Sequence, residues 1–113
     1  MPFINIKTNV DVKKEKEEII KSSLGQLITI LPGKSESWLM IDIEKNNSMY
    51  FKGSDLPLAL VKVELYGSSS KDKYNKLTNA ITFLLNKELS IDEDRIYVRF
   101  EEVENWGYFG SLF

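Results

Sequence analysis

Residues 58–67 read LALVKVELYG, and the chain continues SSSKDKYNKLTNAITFLLNKEL through residue 89. The first run alternates. Val61, Val63 and Leu65 fall on one face and Lys62, Glu64 and Tyr66 on the other, the period of a half-buried strand. From Tyr74 the period lengthens, and Tyr74, Leu77, Ile81, Leu84, Leu85 and Leu89 line one stripe of a helix that SSSKD opens. SIDED (90–94) reads as a loop and RIYVRF (95–100) as another strand.

The first half of the chain repeats this order. PFINIKT (2–8) alternates as a short strand that TNVD closes. From Val12 to Leu31 the pattern is helical, with Ile20, Leu24, Leu27, Ile28 and Leu31 on one face and the charges of KKEKEE (13–18) opposite. Asp11 is a candidate N-cap, and Pro32-Gly33 stops the helix. SWLMIDIE (37–44) reads as a strand, KNNS as a turn, and MYF (49–51) as a short strand piece before the loop KGSDLP. Two strand–helix–strand units predict an α+β fold: one four-stranded mixed sheet with both helices on a single face, in a single domain over 1–113. The other sheet face then has no cover. The tail NWGYFGSLF (105–113) is more apolar than a free terminus should be, and the two features together predict self-association.

Composition narrows the chemistry. The 113 residues fit one domain, and 42% hydrophobic with 28% charged residues is the balance of a soluble globular protein. No apolar run has membrane-spanning length, and no basic segment precedes an apolar one as in a secretory leader, so the expectation is a cytoplasmic protein without membrane association. Net charge is −2 and the basic residues form no stripe, which argues against nucleic acid as a partner. The acidic stretch 88–104 reads as a solvated edge. There is no cysteine and no histidine. That excludes disulfides, thiol nucleophiles, Ser-His-Asp triads and the usual zinc sites, and it leads us to expect no metal and no cofactor. Proton chemistry near neutral pH is left to a raised carboxylate, a lowered lysine or tyrosine, or the α-amino group, whose unperturbed pKa is about 7.7–8.0. Pro2 therefore has two readings. It is either the first residue of an edge strand, where proline is tolerated, or, once Met1 is removed, a secondary amine at the chain terminus.

MP at the start, TNV at 8–10, GK at 33–34, MYFKGSDLP at 49–57, DRIYV at 94–98 and the ending NWGYFGSLF, taken in order, resemble the macrophage migration inhibitory factor family of the tautomerase superfamily. The resemblance runs over essentially the whole chain. It implies two β-α-β units in a pseudo-twofold pair, assembled as a ring-shaped homotrimer. It also implies a keto–enol tautomerase of phenylpyruvate-like aromatic α-keto acids, with the amine of Pro2 as general base. Lys34 resembles the family's pocket lysine, which disfavours protonation of the amine and holds the substrate carboxylate; without the resemblance it reads as an ordinary cation near a helix end. Tyr97 stands where the family presents a tyrosine from the neighbouring subunit. Arg99 stands where the better-known members carry asparagine, and either grips a carboxylate bidentately or is an exposed strand residue balanced by Glu101. Tyr66 replaces a frequent isoleucine at the pocket mouth. Trp106, Tyr108 and Phe113 belong to the tail that closes the pocket's apolar wall, with Tyr108 in place of a common tryptophan. Where the best-known member has Cys-x-x-Cys, this chain has Leu58-Ala59-Leu60-Val61, which excludes thiol–disulfide chemistry. The alternative reading is a cytokine-like interaction protein that binds a host receptor, its tautomerase activity vestigial. Animal members leave cells without a signal peptide, so export without one is compatible with that alternative.

Overall fold

A computed structural model covers residues 1–113. The first unit comprises β1 (Pro2–Thr8), α1 (Lys14–Leu27) and β2 (Met40–Glu44); the second comprises β3 (Ala59–Tyr66), α2 (Lys71–Leu89) and β4 (Ile96–Val103). Within each unit the two strands run parallel, as a helical crossover requires. The units meet through one antiparallel seam, β1 against β3, in which Pro2 pairs with Leu65 and Thr8 with Ala59. The sheet order is β2-β1-β3-β4, the predicted four-stranded mixed sheet, with β2 and β4 at its open edges.

Alternation decides which face the helices cover. Ile4, Ile6, Val61, Val63 and Leu65 stand on one side and are fully buried against Ile20, Leu24 and Ile28 of the first helical segment and Leu77, Ile81 and Leu85 of α2. Ile41, Ile43, Ile96, Val98 and Phe100 widen this core from the edge strands. The opposite face carries Phe3, Asn5 and Lys7, with Met40, Asp42 and Glu44 beside them and Lys62, Tyr97 and Arg99 across the seam. No helix covers it. Asn5 lies deep among its neighbours there, and its amide donates to Asp42 Oδ2 at 3.0 Å and Glu44 Oε2 at 2.7 Å.

Several boundaries differ from the sequence expectations. Helix α1 starts at Lys14 with Lys13 at its cap position, where no side chain caps it. Asp11 accepts instead from Asn46 Nδ2 at 3.0 Å and pairs with Lys13 at 3.1 Å, so its carboxylate is committed to the neighbouring turn. Residues Ile28–Ile30 tighten into a 3-10 turn before Pro32. Glu36–Trp38 form another, so β2 is shorter than SWLMIDIE suggested. MYF is not a strand; Phe51 and Ser54 exchange backbone bonds across a tight turn, with Lys52 and Gly53 both at positive φ. Helix α2 follows expectation closely: Ser70 Oγ accepts from Lys73 N at 3.2 Å as its N-cap. The tail forms a small hairpin, β5 (Gly107–Tyr108) with β6 (Ser111–Leu112), which the sequence pattern does not foretell.

Candidate active site

The chain start, the turn after α1, the end of β3 and the tail converge at one end of the sheet. Proline suits its place as the first residue of β1: it lacks an N–H, and Pro2 is buried there. The backbone continues its ladder one residue further, as Tyr66 N donates to Met1 O at 3.1 Å. Gly33, at φ 79°, turns the chain out of the 3-10 segment and presents Lys34. The Lys34 ammonium donates to Tyr66 O at 2.7 Å. An ammonium has three donors, so this bond anchors Lys34 without exhausting it.

Aromatic rings build the walls. Tyr66 lies 5.6 Å from Phe113 between ring centroids, and Phe113 stacks on Tyr108 at 6.2 Å with 9° between planes. Tyr108 meets Trp38 edge to face at 5.1 Å. The tail is held in this position by Phe113 N donating to Trp106 O at 3.0 Å. Beside Trp38 and Tyr108 lies a cleft of about 490 Å³, whose lining includes Met1, Pro2, Phe3 and Trp106 as well. Tyr108 and Phe113 remain half or more exposed.

The electrostatics favour a neutral amine here. Burial, and then the charge and hydrogen bonding of Lys34, hold the terminal amine of Met1 below the ordinary α-amino value. Pro2 is more buried than Met1 and lines the same cleft. The sign follows directly. Folding disfavours the ammonium, so this group's stabilising contribution is complete above the unfolded pKa and is lost as pH falls through the lowered folded value. In chain that retains Met1, the amine is expected to titrate below about 7.7–8.0, and Lys34→Met to raise that midpoint. The pH dependence of its reaction with an amine-directed acylating reagent measures both; an unchanged midpoint in the variant would remove Lys34 as a cause.

Of the residues named from sequence, Pro2, Lys34, Tyr66, Trp106, Tyr108 and Phe113 come together. Tyr97 and Arg99 do not join them within one chain. Tyr97 is in register with Leu60, and Leu60 with Lys7, five residues along β1 from Pro2 and two strands across. That is roughly 17 Å along the strands and about 10 Å across them. Arg99 is in register with Lys62 and Asn5, roughly 10 Å along and about 10 Å across. Both side chains are exposed on the helix-free face. Sequence reasoning missed Trp38, which looked like one strand residue among several, and Phe3 and Met40, which share the helix-free face and pair in register.

The profile of the family described as Macrophage migration inhibitory factor (MIF) matches residues 1–113. A macrophage migration inhibitory factor homolog from Brugia malayi is 28% identical over 115 residues, covering 100% of this chain and 99% of that protein. D-dopachrome decarboxylase from Mus musculus is 29% identical over 107 residues, covering 94% and 90%. Among solved structures, Leishmania major MIF2 superposes with a TM-score of 0.93 at 28% identity, covering 100% of this chain and 97% of the other.

Proposed function

The chain belongs to the macrophage migration inhibitory factor family, and from that premise we propose that it is a keto–enol tautomerase of phenylpyruvate-like aromatic α-keto acids, with the amine of Pro2 as its base after Met1 is removed. The observation that carries this reading is that the chain start lines an aromatic cleft while the Lys34 ammonium acts on the terminal amine from beside it. With Met1 attached, the Pro2 nitrogen is an amide and has no usable basicity. Freed, it is a secondary amine whose surroundings disfavour its protonated form, which keeps it available as a base near neutral pH.

The steps conserve every atom. The neutral amine takes a proton from the carbon beside the keto group, and the C–H electron pair moves to form the C=C bond as the carbonyl pair moves onto oxygen. The prolyl ammonium then gives the proton to that oxygen, which completes the enol and restores the amine. The reverse order converts enol to keto acid. Lys34 spends one of its donors on Tyr66 O and turns the others to the substrate carboxylate. Trp38, Trp106, Tyr108 and Phe113 offer the aromatic ring of the substrate an apolar wall. Tyr97 and Arg99 stand too far from their own Pro2 to serve it, and in this reading they reach the cleft of an adjoining copy in a homotrimer, with Arg99 as a second cation for the carboxylate. The same association covers the helix-free face.

The test is phenylpyruvate tautomerisation followed by ultraviolet absorbance, on protein whose mass shows loss of Met1, beside protein that retains it. Processed protein is expected to turn over and the Met1-retaining form to stay at the uncatalysed rate. Inactivity of folded, processed protein would overturn this reading and leave host-receptor binding as the function to pursue.

A further inference from the structure

Arg95 carries a positive charge that no carboxylate balances; none of the ion pairs in the chain includes it. Its guanidinium is instead spread over four backbone carbonyls of a single loop. Nε donates to Pro57 O at 3.0 Å, Nη1 to Phe51 O at 3.1 Å, and Nη2 to Ser54 O and Leu56 O, each at 3.0 Å. The guanidinium carbon also lies 5.4 Å from the centre of the Phe51 ring. From the other side Asn9 secures the same loop, as its Nδ2 donates to Asp55 O at 2.7 Å and its Oδ1 accepts from Leu58 N at 3.0 Å. A loop containing two consecutive positive-φ residues, Lys52 and Gly53, thus has its carbonyls gathered onto one cation.

What the clamp holds in place is an aromatic contact. The Phe51 ring meets the Tyr97 ring edge to face at 5.1 Å and 73°. Tyr97 is otherwise 60% exposed on the helix-free sheet face. Arg95, Phe51 and Tyr97 line the same small apolar cavity of about 170 Å³. A ring with so much freedom is fixed in direction by its packed edge, and here that edge is Phe51.

We propose that Arg95 is a positioning residue for Tyr97: by clamping residues 51–57 it holds the Phe51 ring against the Tyr97 ring, and so sets where the Tyr97 hydroxyl points toward substrate. The inference rests on the reading of Tyr97 as a substrate contact. It does not make Arg95 a catalytic residue, because four of its five N–H donors are committed to the loop. Lysine is no substitute, since one nitrogen with three donors cannot serve four separate carbonyls.

The experiment labels the five tyrosines with 3-fluorotyrosine and assigns Tyr97 through Tyr97→Phe. Arg95→Ala and Phe51→Leu are each expected to move the Tyr97 fluorine resonance and leave that of Tyr74, which stacks on Phe100 over the core at 4.5 Å, in place. In phenylpyruvate kinetics, Arg95→Ala is expected to raise KM about tenfold with kcat within about twofold. In a Tyr97→Phe background that KM effect should shrink to below about twofold, because both changes then act through one hydroxyl. Added guanidinium ion should restore part of the loss in Arg95→Ala and none in Phe51→Leu. An unmoved Tyr97 resonance in both variants overturns the clamp, as do effects that multiply independently. Phe51→Leu carries the same test if Arg95→Ala does not fold. An inactive parent would count against the proposed reaction alone, since the resonance is read without turnover.

Discussion

In processed protein, Pro2→Gly is expected to lower kcat/KM for phenylpyruvate by at least about a hundredfold while leaving the fold intact. Glycine still ends in an amine, so the loss is one of placement and surroundings. The pyrrolidine ring fixes the direction of the nitrogen lone pair and packs apolar atoms around it, in a position buried opposite Leu65. A glycine amine rotates freely and admits water, so its protonated form regains solvation and fewer molecules carry a correctly aimed base. The change removes no hydrogen bond from the β1–β3 ladder, because proline had no N–H to contribute. Circular dichroism and size-exclusion behaviour should therefore match the parent. A variant keeping activity within tenfold of the parent would show that another group takes the proton.

The largest effect on stability is expected from Ile81→Ala. Ile81 is fully buried in the middle of α2, where it packs into the core beneath the sheet. Truncation removes its transfer free energy and leaves a cavity that a sheet backed by two helices cannot easily close, at a cost of roughly 2–5 kcal/mol. Urea unfolding at one fixed protein concentration measures this, since any association would make the midpoint depend on concentration. A loss below about 1 kcal/mol would mean that the helix shifts to fill the gap.

The change of period at Tyr74 and the repeated strand–helix–strand order make the fold legible in the amino-acid sequence, because a two-residue period and a 3.6-residue period bury different residues. The six residues that gather at the candidate site can be named from sequence too, although only the resemblance ties Lys34 and the tail to Pro2. The rest leave no periodic trace. Arg95 looks like the first residue of strand RIYVRF, yet it lies in a 3-10 turn and its partners are carbonyls some forty positions earlier, contacts no local pattern encodes. The β5–β6 hairpin is two residues on a side, too short to alternate visibly, and it turns through Phe109 and Gly110 at positive φ. Trp38 is hidden for a related reason: an aromatic beside Leu39 and Met40 looks like strand interior until the turn at 36–38 aims it into the cleft. Alternation places Tyr97 and Arg99 on one face correctly, but a period of two says nothing about which chain that face serves.

The seam between β1 and β3 also has a consequence for how the protein is made. The first strand to leave the ribosome finds its antiparallel partner only in residues 59–66. At roughly 5–20 residues per second, about fifty intervening residues take about 3–10 s to synthesise. Throughout that interval Ile4 and Ile6, destined for the centre of the core, can be covered only from their own half. The seam can close only once residues 59–66 have emerged, and the outer β3–β4 pairing waits longer still, for residues 96–103.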